Sequence, residues 1–180
     1  MFNIFKSDKE KIRDIHLAYR NGEIDVTEYR LKFQRALYDI ILSKEAKKIL
    51  SDLGIDVLQA KDVKLEDIKC SVKKLQVLAN ETMYLVKVME QIEKVVEERG
   101  AKADPDVMKF GRRYAGIPII SYDEIMEIVK STERENKCDC ITDKQTLHIF
   151  FTVNFSTSNL HHHAMMLTLH GMVNSGATIE

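Results

Sequence analysis

Between Leu65 and Arg99 no glycine or proline interrupts the chain, and apolar residues return every three or four positions. Leu65, Ile68, Val72, Leu75 and Ala79 form one run; Leu78, Leu85, Met89, Ile92 and Val96 continue it in a shifted frame. This spacing predicts an amphipathic helix. The shift is a three-residue step, which locally overwinds a coiled coil. Val77, Val86, Val88 and Val95 widen the stripe beyond a two-stranded seam and toward a bundle. Such a helix runs roughly 50 Å at 1.5 Å per residue. Either the N-terminal helices cover it or a second subunit does, and the overhang favours a homo-oligomer.

Ahead of it the pattern predicts a helical hairpin and a third short helix. Ser7 and Glu10 make a capping box, followed by Ile12, Ile15 and Tyr19 at helical spacing and by an Asn21-Gly22 stop. Asp25 and Glu28 make a second box, with Ile24 and Tyr29 at the staple positions. Phe33, Ala36, Leu37, Ile40 and Ile41 form the inward stripe. Ser43 caps a short helix ending at Leu53-Gly54. The stretch Gly22-Glu23-Ile24-Asp25-Val26-Thr27-Glu28-Tyr29, set between two helices, resembles the short bacterial C-terminal module called SHOCT. The resemblance covers about thirty residues, here near the N-terminus, and implies a small assembly or docking unit with no catalytic residues.

Gly100 to Asp106 reads as a boundary, with Asp104-Pro105 opening a short helix to about Arg113. Gly116 to Ile120 reads as a buried strand, and Ser121 with Glu124 caps a helix carrying Ile125, Met126, Ile128 and Val129. This strand–turn–helix segment is similar to those closing small α/β modules such as the BRCT domain, whose opening strand and glycine pair are missing here. Ser131 to Gln145 reads as a polar loop. Alternation then begins at Leu147, Ile149, Phe151, Val153 and Phe155, and resumes at His163, Met165, Leu167 and Leu169 after a turn near Ser158-Asn159. The expected fold class is therefore α+β: residues 1–100 a helical bundle with one long helix, residues 101–180 a small α+β unit with an antiparallel hairpin.

Composition narrows the function classes. The chain has 180 residues with 27 Lys+Arg against 28 Asp+Glu, a net charge of -1. A surface built throughout for phosphate backbones would be basic. No run approaches the roughly 18 apolar residues that span a bilayer, and no leader is evident. The three cysteines, Cys70, Cys138 and Cys140, are odd in number, which points to a reducing, cytoplasmic setting.

Two clusters carry candidate chemistry. Cys138, Cys140, His148 and His170 are zinc-type ligands. A three-residue hairpin loop at Ser158–Leu160 places His148 opposite His170, at the end that the Cys138-x-Cys140 loop enters. One residue between paired cysteines is shorter than the usual two to four. His161 and His163 share a face and form either a second metal pair or a surface cluster charging below about pH 6.5. The other cluster is Lys109-Phe110-Gly111-Arg112-Arg113-Tyr114, where Lys109, Arg112 and Arg113 suit phosphate and the rings suit a base. Cations at a helix end also suit the macrodipole.

Three functions follow as expectations. The first is a non-enzymatic assembly or adaptor protein, self-associating through its long helix and presenting its C-terminal unit to a partner. The second is a zinc-type regulator or small metalloenzyme. The third is a nucleic-acid accessory protein. The first ranks highest because it alone explains the long helix, and no cofactor is firmly implied.

Overall fold

The computed structural model describes residues 6–56, 69–101 and 119–147. These residues are 76% helical and contain no strand or sheet. The longer α-helices are, in order, α1 (Asp8–Arg20), α2 (Val26–Ile41), α3 (Lys44–Asp52), α4 (Val72–Ala101) and α5 (Tyr122–Ser131). A 3-10 turn at Lys137–Cys140 follows α5.

Local chemistry sets the helix ends. At α1 the Ser7 amide donates to Glu10 at 2.8 Å and the Glu10 amide donates back to the Ser7 hydroxyl at 3.3 Å. Asp25 opens α2 by accepting from the Glu28 amide at 2.8 Å, while the Glu28 carboxylate pairs with Lys32. Ser43 and Ser121 cap α3 and α5 in the same way. Gly22 and Gly54 stand just past the ends of α1 and α3 at φ +74° and +66°. Around Gly22 the Glu23 amide reaches Ala18 O at 2.8 Å and the Gly22 amide reaches Tyr19 O at 3.0 Å, a Schellman pair. The helical hairpin that the caps and apolar spacing predict is formed by α1 and α2.

The long helix begins later than its periodicity suggested. The Ser71 hydroxyl and carbonyl accept from Lys74 and Leu75 at 3.4 and 3.2 Å, so α4 starts at Val72. Leu65 and Ile68 lie outside the described residues. At 30 residues α4 spans about 45 Å. It serves all three apolar clusters. Tyr84, Leu85, Val88, Met89, Ile92 and Val96 join Ile12 of α1, the α2 stripe from Tyr29 to Ile41, and Ile119, Ile120 and Ile125. Leu78 packs with Ala46 and Ile49 of α3. Leu75 and Ala79 pack with Cys138 and Leu147. The wide stripe is wide because partners from the same chain cover it on several sides.

The α+β expectation is corrected by these observations. Ile119 and Ile120 are buried but belong to no strand; their side chains enter a helical core instead. Leu147, expected to open the hairpin, lies in a helical turn. Asp143 nucleates that turn: its carboxylate accepts from the Thr146 amide at 2.7 Å and its carbonyl from the Leu147 amide at 3.4 Å. A capping aspartate just before the alternation outweighs the period-two signal at its first residue. The rest of the expected hairpin, residues 148–170, lies outside the described residues. The described part of the C-terminal half shares its largest core with the N-terminal helices. Among the described residues, no helix is long and apolar enough to cross a membrane.

Candidate functional site

The polar face of α4 carries Lys73, Gln76, Asn80 and Glu81 at helical spacing. The segment that follows α5, residues 133–141, lies across this face as a strap. Gln76 donates its Nε2 to Asp139 O at 3.1 Å and to Ile141 O at 3.0 Å. Asn80 donates its Nδ2 to Asp139 Oδ1 and accepts the Cys138 amide, both at 2.9 Å. Lys87 and Lys137 both reach Glu135, at 2.6 and 2.5 Å. The bonds from Lys137 and then Lys87 lower the Glu135 pKa to about 2.

Arg134 ties two helices, α2 and α4, to the strap. Its guanidinium pairs with Glu81, donates to Ile41 O at 2.9 Å and lies 3.8 Å from the centroid of the Tyr84 ring. Ile41 is the last residue of α2, where carbonyls lack helical partners and a cation suits the dipole. Glu81 answers at the next helix start: its Oε2 accepts the amide of Ser43, the N-cap of α3, at 2.9 Å. The pair therefore pins the α2–α3 corner to α4. Below it, the Tyr84 hydroxyl donates to Val129 O of α5.

These groups border an open groove of about 730 Å³, lined by Ser43 and Glu45 at the start of α3, the polar face of α4, and Arg134, Asn136 and Asp139 of the strap. The rim offers both signs of charge, with Lys73, Glu45, Asn136 and Asp139 exposed.

The two cysteines of the proposed zinc group differ in placement. Cys138 is buried against Leu75, Ala79 and Leu147, its sulfur 3.8 Å from Met83 Sδ, and burial pushes its thiol pKa up. Cys140 is exposed and its thiol donates to Lys137 O at 3.2 Å. His148 and His170 lie outside the described residues, as do Lys109, Arg112 and Arg113. Among the described residues no three His, Cys, Asp or Glu side chains gather as a metal group.

Sequence reasoning passed over Glu81, Arg134 and His16. His16 falls four residues after Ile12 and three before Tyr19, so helical spacing alone places it on the inward face. Arg134 and Glu81 carry no local signal, because their partners are 53 and 93 residues away from Arg134 in the chain. No family model matches this chain, and no curated protein or solved structure matches it.

Proposed function

We propose that this chain is a non-enzymatic adaptor that offers the groove between α3, α4 and the strap to a polar segment of a partner protein. The observation that supports this reading is the internal use of α4. Its apolar stripe from Leu75 to Val96 is buried against the chain's own helices. Self-association through that stripe would require unpacking this core, so partner contact falls to a preformed surface. The groove suits that role: its floor is cross-braced by Arg134, Glu81, Gln76 and Asn80, and its rim is polar and exposed. Rigid, pre-organised surfaces bind with less ordering cost than mobile ones.

The test compares three baits by quantitative mass spectrometry after capture from the source cells. They are the wild type, a rim variant (Lys73→Glu with Asn136→Arg), and a control altered on the exposed face of α2 (Leu31→Ser). A protein held by wild type and control but lost from the rim variant supports the reading. Equal capture by all three, or turnover of a small molecule that the rim changes leave intact, counts against it.

A further inference from the structure

His16 sits inside the α1–α2 interface at 2% exposure, although imidazole is an expensive group to bury. Its ring centroid lies 5.8 Å from that of Tyr29 and 5.1 Å from that of Phe33. Nδ1 meets the Tyr29 hydroxyl at 3.2 Å, whereas Nε2 has no hydrogen-bond partner. Tyr19 stacks on the far ring at 4.6 Å. Such an enclosure accepts the neutral ring and opposes the imidazolium, which needs both N–H groups satisfied.

The charged neighbours do not offset that opposition. α2 faces the ring with the Tyr29 phenol, whose own ionisation burial suppresses. α5, also packed on α1, offers Asp123, paired with Lys9, and Glu124, held by Ser121 and Arg99. The buried Glu93 of α4 is engaged in an interaction of its own. Desolvation alone lowers the His16 pKa to about 4.

Helix α1 also enters the main core through few fully buried apolar side chains, as α5 does through Ile125. Of the seventeen residues in that cluster it contributes one, Ile12, with Ile15 and Tyr19 only partly buried. Its ion pair to α5, Lys9 with Asp123, is exposed at both ends. The rest come from α2 with its cap Leu42, from α4, from Ile119 and Ile120 ahead of α5, and from Ile125.

We propose that His16 is an acid-sensitive latch: its protonation releases α1 from α2 and α5 and uncovers the Tyr29–Phe33 ring face while the α2–α4–α5 core stays folded. The released ring titrates near the ordinary histidine value of about 6.5. Acid therefore favours the open form from that pH downward, until the closed form also binds the proton.

Hydrogen exchange of the full chain at pH 7.5 and pH 5.0, corrected for intrinsic rates, tests this. At pH 5 ordinary carboxylates remain mostly ionised, so the exposed ion pairs persist. The α1 amides are expected to open about 30-fold more at pH 5.0, with α4 and α5 amides unchanged. In His16→Phe the α1 response is expected to vanish; His16→Gln serves if the larger ring prevents folding. Loss of protection spread evenly over all helices would overturn the latch, as would an acid response of α1 that survives in the folded variant. So would α1 protection that does not change with pH in the wild type.

Discussion

Removing the Arg134 guanidinium leaves the Glu81 carboxylate, whose side chain is only 12% exposed, without its cation. It also frees Ile41 O at the end of α2 and uncovers the Tyr84 ring. The pair itself is partly solvated on the arginine side, so its Coulomb attraction is a minor part. The larger cost is the stranded acceptor. Arg134→Ala is expected to destabilise by roughly 1–3 kcal/mol in urea titration. The double variant Arg134→Ala with Glu81→Gln is expected to lose less than the two singles added together, since no charge is left alone. His16 makes a second residue-scale case, now in pH. Because its folded pKa lies near 4 against about 6.5 unfolded, the unfolded chain takes up a proton that the folded chain refuses. Stability is therefore full above about pH 6.5 and falls as pH drops toward 4, by roughly 2 kcal/mol between pH 7.5 and 5. The bonds that hold Glu10, Glu135 and Asp143 depress those carboxylates, so their stabilisation is lost at lower pH. Urea midpoints of wild type and His16→Phe across pH 5–7.5 are expected to diverge in this window.

The helices owe their boundaries to single side chains, which is why so many were legible in the sequence. Ser7→Ala and Ser121→Ala each remove a hydroxyl that accepts an amide at 3.3 Å, and each is expected to cost about 1 kcal/mol in thermal or urea unfolding. Gly22→Ala meets no atom within 4 Å, so its cost is the positive φ alone, about 1 kcal/mol. Caps and glycine stops act over three or four residues, and the text of the chain states them directly. Ser7, Asp25, Ser43, Gly22, Gly54 and Ser121 were readable for that reason. Ser71 was not, since the apolar spacing runs through it on both sides and only its accepted amides mark the start of α4. Asp143 is obscured for the opposite reason: a capping residue stands before an alternating run, and the longer pattern dominates the local one. The strap reads as loop because its helical content is a single 3-10 turn and its order comes from α4. Cys138 shows the same dependence. One residue separates it from Cys140, and the fold buries Cys138 while leaving Cys140 exposed.

At the scale of the molecule, α4 works as an internal spine, and the three apolar clusters are arranged along it and meet different partners. The cluster with α1, α2 and α5 is the largest; those with α3 and with the Cys138–Leu147 region are smaller. Truncation in the main cluster removes contacts from several helices at once. Ile92→Ala, at 0% exposure, is expected to cost about 2–5 kcal/mol, whereas Leu31→Ser, at 49% exposure, is expected to change stability by under about 0.5 kcal/mol. The separation of the clusters makes a finer prediction. Ile49 packs with Ala46 and Leu78, and Ile125 belongs to the main cluster. They share α4 as a support, yet they lie in different clusters. If the spine is rigid, Ile49→Ala and Ile125→Ala should add within about 0.5 kcal/mol in the double variant. If α4 instead bends to fill either cavity, each change alters the setting of the other and the sum fails. Urea unfolding followed by circular dichroism, with the slope constant across all four proteins, decides between a rigid spine and a yielding one.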